Sequence, residues 1–346
     1  MQWHRRYHRF IWLFIPVLLS CEVESDDASS EPDRIFIANR GQTHPTDSTR
    51  FKASDISVYS FSGDSTVPDA FAKANNNEGL PTGLQALALS ENTLFASNQR
   101  LGYVHVIDIR TMKELLRISL GKQSGAGEMT VGSDGFLYVS GFYSGLLYKI
   151  SMTTFQQMAS LPVGSGPMQS LQIGDELFLA VSGFGTGQEV LVINMKSFSV
   201  TDTLYTQVNP TRLARTGQQL VVLASGSENQ TDMQPAVLYL FNPSTREKAD
   251  SLVFSSKTLM PYLSVDDGGR IVLWEGGTRL LEVVNSRFGS SGCYSVHGGH
   301  PIAIGMNIFT IADAGTNQFK RLRNGEMVGV WALGIYPTGS AVVSYR

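Results

Sequence analysis

The chain has 346 residues, 42% of them hydrophobic and 16% charged, so it carries enough apolar material for a sizeable core. Its 27 Lys and Arg stand against 30 Asp and Glu, a formal charge of −3. A balance on the acidic side argues against a nucleic acid or an anionic lipid surface as partner.

The first ten residues, MQWHRRYHRF, hold Arg5, Arg6 and Arg9 and no acid. The apolar run IWLFIPVLL follows at 11–19, well short of the ~20 residues that a spanning helix needs. A basic start, a short apolar run and a small residue at its end describe a secretory signal over residues 1–20. Leu18-Leu19-Ser20-Cys21 also resembles a bacterial lipobox. That resemblance implies cleavage before Cys21 and acylation of its sulfur and new amino group; an ordinary signal peptide with an incidental cysteine is the alternative. Each buried acyl methylene contributes roughly 0.8 kcal/mol, so several chains make a permanent membrane anchor. Loss of residues 1–20 removes three Arg and no acid, which deepens the negative charge. With Cys21 acylated, Cys293 has no disulfide partner and reads as a core or sheet residue of GCYSV.

Residues 21–33 pass from Cys21 through EVESDDASSEPD, a solvated acidic tether. This stretch is similar to the acidic export signal of surface lipoproteins of Bacteroidetes, which implies an outer-membrane protein exposed on the cell surface.

From Arg34 onward one unit repeats. Apolar strands read IFIAN, LFASN, LYVSG, LFLAV, LVVLA, IVLWE and IFTIA, marked by Phe36, Phe95, Tyr138, Phe178, Val221, Val272 and Phe309. Each is followed by a second strand (ISVYSF, VHVIDI, LLYKIS, VLVINM, VLYLFN, LLEVVN, QFKRLR). A weaker third follows, as in LLRISLG, and then a fourth after a Gly/Pro joint, as in MQSLQIG or TRLARTG. A period of about 40–50 residues with four short strands is the signature of a propeller blade. Short turns such as SENT, SDG and GDE join the fourth strand to the next first-type strand as hairpins. A helical period is confined to PDAFAKANN at 68–76. Residues 34–346 therefore predict one all-β domain, a seven-bladed β-propeller. The last segment, LGIYPTGSAVVSYR, is expected to complete the sheet begun by IFIAN and so remove an exposed sheet edge. AVVSY also reads as an eighth first-type strand, which leaves an eight-bladed ring as the alternative.

The stretches VHVIDIRTMKELLRISLG, LLYKISMTTFQQMASLPVGSGP and VLVINMKSFSVTDTLYTQVNPTRL resemble the YVTN-type repeat of YncE-like propellers. The opening, from IFIANRGQ to LFASN, is similar to that of Bacteroidetes surface propeller lipoproteins, some of which capture cobalamin. That likeness implies a corrinoid-like ligand and a TonB-dependent outer-membrane transporter as partner. No ligand-specific motif carries over residue by residue.

In a four-stranded blade the first-to-second loops and the blade-to-blade crossings share one face, and these are the segments that vary in length. Loops on a rigid scaffold usually carry binding groups. Several set an aromatic or Arg beside Gly: Arg50 with Phe51, Arg100 and Tyr103, Phe142 and Tyr143, and Phe184. Flat rings among small residues and amide donors suit a large, planar, partly polar ligand, so Arg50, Arg100, Tyr103, Phe142, Tyr143 and Phe184 form the predicted site. The competing reading of each ring is a cap on its blade core.

His297 and His300 in SVHGGHP lack the third ligand a zinc site requires, since His44 and His105 belong to other blades. Propeller lactonases hold a central cation by Glu, Asn and Asp from different blades, and Glu275, Asn98, Asp313 and Asn317 follow first-type strands from which they could converge. An Asn or Asp there is equally the ordinary end of a strand. No nucleophile elbow or triad spacing is present. The sequence therefore reads as a binding protein, not an enzyme, with no metal or cofactor assigned. The alternatives are a propeller that binds other proteins and a cation-dependent hydrolase.

Overall fold

The computed structural model describes residues 33–41, 52–227, 233–254, 263–266, 268–274, 278–294, 300–305, 308–313, 316–323, 326–334 and 337–344. Residues 1–32, which hold the signal, Cys21 and all of the tether but Asp33, lie outside these residues, as do Arg50, Phe51, His44, Glu275 and His297.

The repeat folds into seven four-stranded antiparallel sheets. In blade 2 they are Leu84–Ser90, Thr93–Asn98, Tyr103–Asp108 and Lys113–Ser119, in that spatial order. The hydrogen-bonded sheet therefore begins with the fourth strand of the repeat, which pairs with the first-type strand across the short turn. The corresponding innermost strands are Ala126–Val131, Pro167–Ile173, Pro210–Thr216, Leu263–Val265 and His300–Gly305 in blades 3 to 7. Neighbouring innermost strands lie against one another around the whole ring. The sequence unit is thus one strand out of phase with the blade.

The last strand settles the blade count. Pro337–Ser344 pairs antiparallel with Arg34–Asn39, with Phe36 opposite Val342, and forms the innermost strand of blade 1. It packs between the innermost strands of blades 7 and 2. AVVSY is therefore not an eighth first-type strand. The ring closes by joining the two ends of the domain in one sheet.

Burial explains the apolar runs. Each sheet is sandwiched between two others, so both faces of its inner strands need apolar side chains. In Thr93–Asn98, Leu94 and Ala96 join a cluster with Phe36, Ile56 and Phe71 towards blade 1. Phe95 points the other way, into a cluster with Leu137, Val139 and Tyr148 of blade 3. Similar clusters fill the joints between blades 3 and 4, 4 and 5, 5 and 6, and 7 and 1. Outermost strands such as Lys113–Ser119 alternate with solvent, which is why their sequence signal is weak. Cys293 lies in the outermost strand of blade 6, opposite Arg279.

The insertion at 68–76 holds the helix Ala70–Ala74, which buries Ala70 and Phe71 against blades 1 and 2. Its first turn is capped from a distance: the Asp55 carboxylate accepts the Phe71 N–H at 3.0 Å and the Ala72 N–H at 3.1 Å. Burial outweighs these donors and raises the Asp55 pKa to about 6. A carboxyl that binds its proton more tightly when folded favours the native state at low pH, and this contribution is lost as pH rises from about 4 to 6. Stability of the wild type relative to Asp55→Asn, read from denaturant unfolding, should therefore increase by roughly 2 kcal/mol on going from pH 7 to pH 4. A difference that does not change with pH would contradict this.

Candidate functional site

The face carrying the first-to-second loops and the crossings has one construction repeated in blades 2, 3 and 4. A crossing ends in a glycine just before the innermost strand: Gly83, Gly125 and Gly166, with φ of 107°, 63° and 62°. The carbonyl of each accepts an N–H from the loop that follows the first-type strand. The donors are Gln99 at 2.9 Å, Phe142 at 3.0 Å and Ser182 at 2.9 Å. The next loop residues then lie directly over the glycine. A Cβ on Gly83 would stand 2.7 Å from Cβ of Arg100. On Gly125 it would meet Cδ2 of Tyr143 at 2.6 Å, and on Gly166 the Phe184 nitrogen at 2.8 Å. Only glycine combines that backbone angle with such close approach. Blade 5 repeats the hydrogen bond with Asn209, φ 67°; its Gly226 matches Gly183 of blade 4, and Ser227 stands where blade 4 has Phe184.

This construction presents Arg100, Tyr143 and Phe184 from successive blades. Tyr143 and Phe184 are each 56% exposed, so neither ring caps a blade core. Phe142 links them, edge-on to Tyr143 at 5.3 Å and to Phe184 at 5.1 Å. Phe184 has a left-handed backbone (φ 55°, ψ 36°), which costs a non-glycine residue roughly 1 kcal/mol. The Gly183 N–H to the Ser165 carbonyl and the Ser182 hydroxyl to the Gly166 carbonyl hold that turn in place. Gly125→Ala should destabilise the fold by about 1–2 kcal/mol and displace the Tyr143 ring. Unchanged stability and ring position, in melts and in a crystal structure of the variant, would contradict this.

Beside the rings, Arg40, Gly41, Thr82, Gly83, Gln99, Arg100 and Tyr143 line a cleft of about 340 Å³. Arg100 Nη1 donates to Thr82 Oγ1 at 3.0 Å and Arg40 Nη2 to Gln99 Oε1 at 3.5 Å. On the wall of the ring, Glu128 of blade 3 and Arg212 of blade 5 pair at 2.6 Å, and Gln169 of blade 4 accepts the Leu213 N–H. A larger cleft, about 540 Å³, lies on the opposite face between blades 5 and 6, and no aromatic side chain lines it.

Of the residues predicted from the sequence, the structure brings Arg100, Phe142, Tyr143 and Phe184 together. Tyr103 stands apart from the cleft lining. As the first residue of its strand it shares a sheet face with His105, and its ring lies 6.5 Å from that imidazole. Arg40, Thr82 and the shelf glycines were missed as individual residues. The signal available was a Gly or Asn just ahead of each fourth strand, in PTGL, QSGA, GSGP and QVNP.

Two of the residues considered for a cation have other work. Asn98 is buried; its Nδ2 donates to the Pro81 carbonyl at 2.7 Å and its Oδ1 accepts the Leu101 N–H at 3.0 Å. Asp313 pairs with Lys320 at 2.6 Å. His105 is fully buried with Nδ1 2.6 Å from Glu114; burial lowers its pKa, so the neutral ring donates to the carboxylate. Among the described residues no group of three His, Cys, Asp or Glu is placed to hold a metal ion.

No family model matches the chain, and no curated protein matches it by sequence. Solved structures do. The WD40 repeats of RRP9 superpose with a TM-score of 0.59 at 14% identity, covering 74% of this chain and 83% of that one. Hydrazine synthase of Kuenenia stuttgartiensis gives 0.61 at 16% identity, over 75% of this chain and 88% of that one. Streptogramin B lyase gives 0.58 at 11% identity, over 72% and 83%. At these identities the likeness defines the fold. The protein is a seven-bladed β-propeller.

Proposed function

We propose that the protein is a binding propeller whose open-loop face captures a planar, partly polar nutrient, with a corrinoid as the leading ligand. The observation that carries this is the row of Arg100, Tyr143, Phe142 and Phe184, offered to solvent by the same glycine shelf in three consecutive blades. Exposed rings on a rigid scaffold give a flat ligand stacking area at little entropic cost. In this reading Cys21 carries the lipid anchor, the acidic tether holds the disc off the outer membrane at the cell surface, and a TonB-dependent transporter receives the ligand.

The test is calorimetric titration of the detergent-solubilised full-length protein with cyanocobalamin and with cobinamide. Saturable binding by the wild type that Phe142→Ala/Phe184→Ala abolishes is expected. Absence of binding at micromolar concentration removes the corrinoid. A second reading, a propeller that docks another protein, draws on the same exposed Tyr143 and Phe184, since aromatic anchors also dominate protein interfaces. A complex with a co-purifying receptor that forms without ligand, and is lost in the double variant, would favour it.

A further inference from the structure

The cleft beside the aromatic row has a charge pattern that the rings do not require. Arg40 comes from the end of the first-type strand of blade 1 and Arg100 from the loop of blade 2, and both side chains are exposed. Both line the same cleft, whose other lining residues, Gly41, Thr82, Gly83, Gln99 and Tyr143, include no acid. Among the described residues neither guanidinium has a carboxylate partner; Arg100 is steered by Thr82 Oγ1 and Arg40 by Gln99 Oε1. Arg215, also exposed, donates within its own turn, to the Gly217 carbonyl and Gln218 Oε1, whereas Arg40 and Arg100 reach across to other segments and line one cleft. Arg212 is matched to Glu128, Arg246 to Glu176 and Arg117 to Glu114. In a chain with more acids than bases, two cations lining one cleft with no carboxylate partner among the described residues favour an anion there.

The donors indicate which anion. A carboxylate presents two oxygens in one plane, which a single guanidinium fork can meet. Here two guanidinium forks, from separate blades, line one cleft together with Tyr143 and Gln99. That number of donors suits a tetrahedral group with three outward oxygens. We infer that the cleft is an oxyanion subsite, which takes the phosphate or sulfate ester of a small soluble ligand whose flat portion lies on Tyr143, Phe142 and Phe184. The inference rests on the reading of this face as the binding face. It adds that the ligand is anionic, and it makes Arg40 and Arg100 the specificity-determining residues.

The full-length protein in uncharged detergent is titrated by calorimetry with pyrophosphate, with sulfate and with acetate at fixed ionic strength. Wild type, Arg40→Gln/Arg100→Gln, Phe184→Ala and Arg110→Gln are compared after matched melting curves confirm folding. Arg110 serves as the control because it sits in an exposed turn of the opposite face, paired with Asp108. Pyrophosphate or sulfate should bind to wild type, Phe184→Ala and Arg110→Gln alike, and the stronger of the two identifies the ester. Binding to the double Arg variant should be weakened roughly tenfold or more, the loss expected for hydrogen bonds to a charged group. No binding of either oxyanion to wild type, equal binding to the double Arg variant, or acetate binding as tight as theirs would overturn the subsite. Phe184→Ala separates the two claims. If it abolishes corrinoid binding while neither oxyanion binds the wild type, the face is correct and the subsite is wrong.

Discussion

A chain ending before Pro337 should fail to give a cooperative unfolding transition. The deleted segment supplies the innermost strand of blade 1, paired with Arg34–Asn39. It also supplies the contacts that join blade 1 to the innermost strands of blades 7 and 2. Its removal leaves the N–H and C=O groups of a buried strand unpaired and opens two inter-blade joints at once. The expected loss exceeds about 5 kcal/mol, comparable with the whole stability margin of a domain. Size-exclusion chromatography should show aggregated or expanded protein, and a peptide covering residues 335–346, added in trans, should restore part of the fold by strand addition. A truncated chain that melts cooperatively within a few degrees of wild type would show that this strand does not close the ring.

The second large effect is expected at Tyr59, on the other side of the same closure. Its ring is fully buried, with centroids of Phe61, Phe319 and Trp331 at 4.9, 4.8 and 4.8 Å. Phe319 and Trp331 belong to blade 7, so the ring joins the last blade to the first. Its hydroxyl donates to Asp64 at 2.6 Å and accepts from Arg321 at 2.6 Å, and burial pushes its pKa up. Tyr59→Ala should cost about 3–5 kcal/mol through lost packing and the cavity left behind. Tyr59→Phe keeps the ring and strands the polar groups, so about 1–3 kcal/mol is expected. Denaturant unfolding separates the two. Equal losses would assign the effect to the hydroxyl network, and a loss under about 1 kcal/mol in the Ala variant would contradict the packing account.

The fold was legible in the sequence because each inner strand is buried on both faces. Runs such as LFASN and LFLAV therefore stay apolar without alternation and stand out at every repeat. The ambiguous element was AVVSY. Its composition suits a first-type strand and an innermost strand equally, and only its pairing with Arg34–Asn39 decides between them. The short helix was legible as well, but its cap was not, because Asp55 precedes the helix by 15 residues and reaches it only through the fold.

The candidate site was legible in part. Arg100, Tyr143 and Phe184 could be named because they follow first-type strands in loops with Gly. What aligns them, the positive-φ glycines at 83, 125 and 166, depends on a backbone conformation that composition does not show. Tyr103 lies apart from the cleft lining for a related reason. One residue of register turns a loop side chain into a strand side chain, and Tyr103 then shares its sheet face with His105. Thr82 and Arg40 belong to separate crossings and strand ends, and the cleft they share exists only in three dimensions.

The central claim, that the loop face with its row of rings is the binding surface, is tested most directly by titrating cyanocobalamin and cobinamide into full-length wild type and into the Phe142→Ala/Phe184→Ala variant. The account predicts saturable binding in the wild type and none in the folded variant. Equal binding to both proteins would place the ligand elsewhere on the disc and contradict the account.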